Sequence, residues 1–269
     1  MIVFSHANSY SAATYRQLFD GWRAAGHEVA AVEHFGHDAR FPVDRRWRGM
    51  TQQLTTLIDS LPQPRVWLVG HSMGGYLSLL AACKRPEIAR SVVLLDSPVL
   101  TGWKAHSVQV MKVGRLIQRF SPGRVSARRR WQWPSTEAAL AHFQAKAAFA
   151  RWDPAVLRDY IAAGTEPDPE GADAQAVRLA FHRDVETRIY NTLVHKLGRV
   201  LQAHPPKCPV AYVGGTRSHE GRQVGLAATR ALAHERLLWI EGSHLFPMEQ
   251  PQATAQAVLD LLAGAQPIG

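Results

Sequence analysis

Long apolar runs, closely spaced cysteines and a block of acidic charge where one would balance the basic residues are all missing from this 269-residue sequence. No stretch approaches the ~20 consecutive apolar residues that cross a bilayer. The opening Met1-Ile2-Val3-Phe4-Ser5 has neither the basic start nor the apolar core of a secretory signal, so a cytoplasmic protein is the default expectation. The two cysteines agree. Cys83 falls in an apolar helical pattern and Cys208 just before a strand-like run, and neither has CxxC or metal-ligand spacing. No cofactor or metal is expected.

Between Ser97 and Thr136 there is no Asp or Glu, while Lys104, Lys112, Arg115, Arg119, Arg124, Arg128, Arg129 and Arg130 all lie there. Those eight residues account for nearly all of the net charge of +9. The charge is therefore local. No nucleic-acid motif accompanies it, so a solvated or substrate-facing basic patch is the first reading. Membrane contact by that patch is the lesser one, and nucleic acid is not expected as a partner.

What is present is ordinary globular material, 46% hydrophobic and 20% charged, in a length that suits one α/β domain with an inserted subdomain. Its centre is Arg65-Val66-Trp67-Leu68-Val69-Gly70-His71-Ser72-Met73-Gly74-Gly75. The apolar run fits a buried parallel strand, and Gly70-x-Ser72-x-Gly74 turns at once into a helical pattern over Tyr76–Cys83. A serine on such a turn sits in strained backbone at a helix N-terminus. The two glycines avoid Cβ collisions with strand and helix, and the Met73 N–H points where a substrate oxyanion would form. The plain alternative is a Gly-rich turn whose serine only caps the helix.

With this elbow the sequence resembles the α/β-hydrolase superfamily, in which Gly-His-Ser-Met-Gly-Gly is among the commonest spellings. The resemblance is strong at residues 3–10, 66–75 and 241–251 and loose between residues 101 and 204. It implies an α/β-hydrolase fold. The strand-like runs predict a mostly parallel sheet of about six strands with the N-terminal strands trimmed. The core would comprise residues 1–100 and 205–269, and 101–204 would form a mainly helical cap over the site.

In chain order, Ile2-Val3-Phe4 reads as a strand leading into Ser5-His6-Ala7-Asn8-Ser9-Tyr10. The superfamily pattern there is His-Gly-x, and its loop donates the second oxyanion N–H, which the resemblance places on Asn8, with Ala7 second. His6 reads as a structural holder of that loop. Tyr15, Leu18, Phe19 and Trp22 mark a helix that Gly26 ends, and Val29–Val32 a strand. Glu33, His34 and His37 follow, but with no third ligand at a recognisable spacing they read as loop packing. Met50, Leu54, Leu57, Ile58 and Leu61 mark the helix before the elbow.

Beyond the elbow, Ser91–Leu95 is a buried strand ending in Asp96, the place where open α/β sheets put their chemistry. Strand-helix alternation then stops. One helix face is marked by Val113, Leu116, Ile117 and Phe120, a second helix starts at Ser135 with Glu137, and a third opens at Asp153-Pro154 with Gly164 after its end. A polar turn-rich piece, Thr165–Asp173, precedes an apolar run Val177–Phe181 and a last helix near Val185–Leu193. The aromatics Trp103, Trp131, Trp133, Phe143, Trp152, Tyr160 and Tyr190 divide between packing and lining a pocket.

Pro209–Val213 resumes the sheet. Most relatives carry their triad acid just after the following glycine, whereas Arg217 and Ser218 stand there and Glu220 lies later. A minority of the superfamily, haloalkane dehalogenases among them, takes the acid from the strand after the nucleophile strand, which matches Asp96. Asp96 is therefore the expected acid and Glu220 the alternative. Leu237–Ile240 is the last strand, and His244 on the loop behind it, ahead of the closing helix Ala253–Leu262, is the expected general base in the order Ser72, Asp96, His244.

These residues predict a serine hydrolase of a carboxylic ester or thioester of small to medium size. Ser72 would be the nucleophile, and the Met73 and Asn8 N–H groups the oxyanion hole. Carbon–carbon bond hydrolysis, perhydrolysis and acyl transfer are chemically neighbouring alternatives. A receptor that keeps the triad without turnover is the alternative from another class.

Overall fold

Both faces of the central strands are apolar, and their alternation decides the layers. The structure, a computed structural model, describes residues 1–99, 126–192, 197–220 and 225–264. Six parallel strands, β1 (Ile2–Ser5), β2 (Val29–Ala31), β3 (Val66–His71), β4 (Ala89–Leu95), β8 (Val210–Gly215) and β9 (Leu237–Ile240), form one sheet in the order β2-β1-β3-β4-β8-β9. Ile2, Phe4, Val69, Val93, Leu95, Ala211 and Val213 face one layer; Val3, Leu68, Val92, Leu94 and Tyr212 face the other. Such two-sided burial is what parallel sheets require.

The first layer is built by α1 (Arg16–Ala24), which packs on the last helix (Pro251–Ala263) through Trp22, whose indole N–H donates to the Ala255 carbonyl at 3.2 Å. Gly26, at φ +86°, ends α1 as expected. The second layer is built by α2 (Arg48–Asp59) and α3 (Met73–Lys84).

The described chain between β4 and β8 is mainly helical, as expected, with a small sheet added. Three strands of two or three residues, β5 (Gln132–Trp133), β6 (Thr165–Pro167) and β7 (Val177–Leu179), pair antiparallel in the order β5-β7-β6. The Thr165–Asp173 piece read as turn-rich thus begins as a strand, because Thr165 leaves the preceding helix in extended backbone and pairs with Leu179. Among the described residues, four helices share this region: α4 (Thr136–Gln144), α5 (Pro154–Gly164), α6 (Arg183–Asn191) and α7 (Leu197–Ala203). Their caps follow the sequence. The Ser135 hydroxyl accepts the Ala138 N–H, and the Asp153 carboxylate accepts the Ala155 N–H with Pro154 in the first turn. Gly164 lies inside α5 rather than after it.

Trp133, Phe143, Trp152 and Tyr160 are buried and stack in a ring cluster continuous with the first layer. Those four are packing residues. The helix face marked by Val113 to Phe120, and Trp103, lie outside the described residues. Further helices among the described residues are α8 (Ala227–Ala233), a short α9 (Phe246–Glu249) and α10 (Pro251–Ala263).

Candidate active site

Ser72 stands between β3 and α3 at φ +53°, a left-handed conformation that a side chain adopts only when its surroundings enforce it. Two close approaches enforce it here. A Cβ on Gly74 would lie 1.9 Å from the Ser5 carbonyl oxygen, and one on Gly70 would lie 2.3 Å from the Gly74 backbone. The Ser72 N–H is fixed to the Leu95 carbonyl at 2.9 Å, and the Ser72 carbonyl accepts the Ser97 hydroxyl at 2.8 Å.

Around this serine the structure brings together residues from three strand ends. His244 Nε2 lies 3.0 Å from Ser72 Oγ, and His244 Nδ1 lies 2.6 Å from Asp96 Oδ2. Asp96 is 1% exposed and follows β4 at φ +44°. Its carboxylate is fully engaged. It accepts the Ser218 hydroxyl at 2.5 Å, the Tyr212 hydroxyl at 3.1 Å and the Gly215 N–H at 3.3 Å. Glu220 Oε2 is 3.8 Å from His244 Nδ1 and accepts the same Ser218 hydroxyl at 3.1 Å, so it flanks the imidazole without touching it. Burial alone would raise the Asp96 carboxyl, but hydrogen bonds from His244 and Ser218 and the nearby ring charge outweigh it and hold the group below the usual carboxylate range. For His244, burial opposes charging. The Asp96 hydrogen bond and the Glu220 and Asp96 charges override it, and the imidazole is raised above its ordinary value.

The β1 loop sits opposite. The Ala7 N–H is taken by the Tyr15 hydroxyl at 3.2 Å, which removes it as the second oxyanion candidate. Among the described residues nothing accepts from the Asn8 or Met73 N–H, and both residues line the same cavity as Ser72. His6 holds this loop, its Nδ1–H donating to the Ala7 carbonyl at 2.8 Å and its Nε2 accepting the Phe35 N–H at 3.0 Å. Burial pushes His6 down to about 3, which keeps it neutral.

The cavity measures about 390 Å³ and is walled by Tyr10, Trp47, Tyr76, Tyr190 and Leu245 as well as by the site residues. Of the aromatics between 101 and 204, Tyr190 is the one that lines it among the described residues, while Trp131 borders a separate surface hollow.

Sequence reasoning missed the supports. Glu186 of α6 is 3% exposed and clamps the loop: the Ser9 hydroxyl donates to its carboxylate at 2.5 Å, the Asn8 side-chain amide donates to its carbonyl at 3.2 Å, and Arg129 pairs with it at 3.3 Å. Glu249 holds the His244 loop, accepting the Ser243 hydroxyl at 2.5 Å and N–H at 3.1 Å and pairing with Arg217. Nothing in local periodicity marks these partners, which lie up to 178 residues apart.

Among the described residues, one group of potential metal ligands has its atoms within 4.8 Å of one another, and it is Asp96, Glu220 and His244 themselves. His34 and His37 pack instead against Phe181, at ring distances of 6.0 and 4.5 Å.

A sheet of this topology with a serine on a strained strand-to-helix turn defines a protein of the hydrolase class of α/β folds. The chain belongs to the alpha/beta hydrolase family, whose model matches residues 2–257. Among curated proteins it is similar to a putative carbamate hydrolase RutD of Pseudomonas savastanoi pv. phaseolicola, 38% identical over 26% of this chain and 29% of that protein. It is also similar to the sn-1-specific diacylglycerol lipase ABHD11 of Mus musculus, 33% identical over 39% of this chain and 35% of that protein. The chain thus spans about a third of the length of these relatives. Among solved structures, E-2-(acetamidomethylene)succinate hydrolase superposes with a TM-score of 0.74 at 20% identity, covering 98% of this chain and 91% of that one. At that identity the likeness shows the fold.

Proposed function

We propose that this protein is a serine hydrolase that cleaves a carboxylic ester or thioester of small to medium size through an acyl-enzyme. The observation that carries the reading is the His244 ring, which spans from Ser72 Oγ at 3.0 Å to Asp96 Oδ2 at 2.6 Å. In this reading Ser72 attacks the acyl carbon while His244 Nε2 takes its proton and then delivers it to the leaving group. Asp96 holds the ring tautomer and stabilises the imidazolium. The Met73 and Asn8 N–H groups receive the oxyanion, and losing one such donor costs about two to three orders of magnitude in rate. Water activated by His244 then releases the acid. No step calls for a cofactor.

The cap is part of the proposal: residues 101–204 roof a core of 1–100 and 205–269. Support comes from Ile189 and Tyr190 of α6, which wall the cavity, and from Glu186, whose backbone carbonyl accepts the side-chain amide of the lining residue Asn8. A cytoplasmic location is supported by two buried free thiols, Cys83 and Cys208. Turnover of a p-nitrophenyl ester and thioester series, wild type against Ser72→Ala, tests the activity. Hydrolysis with a burst of p-nitrophenol that vanishes in Ser72→Ala is expected; hydrolysis that persists in the variant would remove Ser72 from the chemistry.

A further inference from the structure

Three hydrogen bonds outside the proposed triad form one string through the floor of the site. The Ala7 N–H reaches the Tyr15 hydroxyl oxygen at 3.2 Å, Tyr15 Oη lies 2.7 Å from His71 Nδ1, and His71 Nε2 lies 2.9 Å from the His244 carbonyl oxygen. Their direction follows from the end groups. A backbone N–H only donates and a carbonyl oxygen only accepts, so Nε2 carries the hydrogen. Nδ1 of a neutral ring is then bare and accepts the Tyr15 O–H. Tyr15 is 1% and His71 0% exposed, so water does not compete for these partners.

The string links four places in the sequence. Ala7 belongs to the loop carrying the Asn8 N–H, Tyr15 to the turn before α1, His71 to the last residue of β3, and His244 to the loop after β9. The His71 ring also lies against that of His244, with centroids 5.1 Å apart and planes tilted by 41°. Two charged imidazoles at that separation would disfavour each other.

We propose that His71 is a positioning residue: held by Tyr15 in the Nε2–H tautomer, it ties the backbone of His244 to the oxyanion loop and stays uncharged so that the neighbouring His244 ring can take up charge. The inference rests on the reading of His244 as general base. The groups facing His71 are Tyr15, His244 and Asp96. Burial and then the His244 charge push His71 down to about 3, with Asp96 acting in the opposite sense.

Long-range proton–nitrogen NMR correlation on the wild-type protein reads the tautomer without an activity assay. A neutral Nε2–H ring at His71, unchanged across the range in which His244 titrates, is expected; an Nδ1–H or charged ring would overturn the proposal. Kinetics supply the second readout. His71→Leu and Tyr15→Phe are expected to lower kcat by about ten- to a hundredfold at little-changed KM, the scale of a small misplacement of catalytic groups. His71→Gln, whose amide can still donate to the His244 carbonyl, is expected to recover most of that loss. Wild-type kcat in His71→Leu, or a His71→Gln as slow as His71→Leu, would overturn it. Where a variant does not fold, the wild-type spectrum decides. Absence of esterase turnover with the expected tautomer present would sink the hydrolase reading and leave the string standing.

Discussion

At Asp96 two effects oppose each other, and the sign of their sum matters for the chemistry. A carboxylate buried to 1% exposure would protonate unless donors compensate, and here Ser218, Tyr212, Gly215 and His244 all point at it. It therefore stays ionised and faces the imidazole. Asp96→Asn keeps the shape but offers an amide where the ring needs an acceptor, and kcat should fall by about 10⁴-fold with the fold retained, as for other triads given the wrong tautomer. An unchanged kcat in Asp96→Asn, with a collapse in Glu220→Gln, would move the acid to Glu220.

Glu220 has its own predicted signature. His244 is raised above the ordinary imidazole value by Asp96 and Glu220 against the cost of burial, and as the proposed base it works only when neutral. Activity is then lost as pH falls through that raised value. Removing the Glu220 charge lowers it, so the acid limb of kcat/KM should move to lower pH in Glu220→Gln. A limb that stays in place or moves up would show that Glu220 does not act on the ring.

At the scale of elements, the loop after β1, the proposed oxyanion loop, is held from α6. Ser9 sits at φ +79°, and the Glu186 carboxylate that bonds its hydroxyl is in turn paired with Arg129. Glu186→Gln leaves Arg129 without its ion partner in a largely buried setting. Breaking buried pairs costs about 3–5 kcal/mol; because Arg129 keeps 20% side-chain exposure and Gln retains an acceptor for Ser9, the low end applies. Denaturant titration should show that loss together with a reduced kcat, and unchanged stability would contradict the clamp.

The elements also show what a sequence can and cannot carry. The elbow was legible because its constraints are local: Gly74 has no room for a Cβ, and both glycines lie within two residues of Ser72. The strands were legible from unbroken apolar runs, and α4 and α5 from Ser135 and Asp153. Strands β5, β6 and β7 were not, since two or three residues are too few to show a period. Chain position favours Asp96 over Glu220, but it does not reveal Ser218, Tyr212 or Gly215, which pack around Asp96 from β8 and the loop after it.

At the scale of the whole molecule, the described end of the basic block divides between solvent and packing, with Arg128 and Arg130 exposed and Arg129 partly buried. Of the basic block, Arg129 is committed to Glu186, and Arg130 donates to the Gln132 carbonyl and lies over Trp133. The part of the block from Lys104 to Arg124 lies outside the described residues. Paired neutral and anionic esters of equal acyl length test a substrate-facing role for this block. Faster turnover of the anionic member, weakening as salt rises, is the predicted result if the block meets substrate, and equal rates would confine it to structure and solvation. No helix among the described residues is long and apolar enough to cross a membrane.

Everything proposed for this site turns on Ser72 as a nucleophile activated by His244. Incubation with a fluorophosphonate followed by peptide mapping tests it most directly. One adduct per chain is expected, on Ser72, slowed severely in His244→Ala and accompanied in untreated protein by ester turnover. An adduct on another residue, or none, would contradict it, and labelling of Ser72 without turnover of any ester or thioester would point to a ligand-binding role instead.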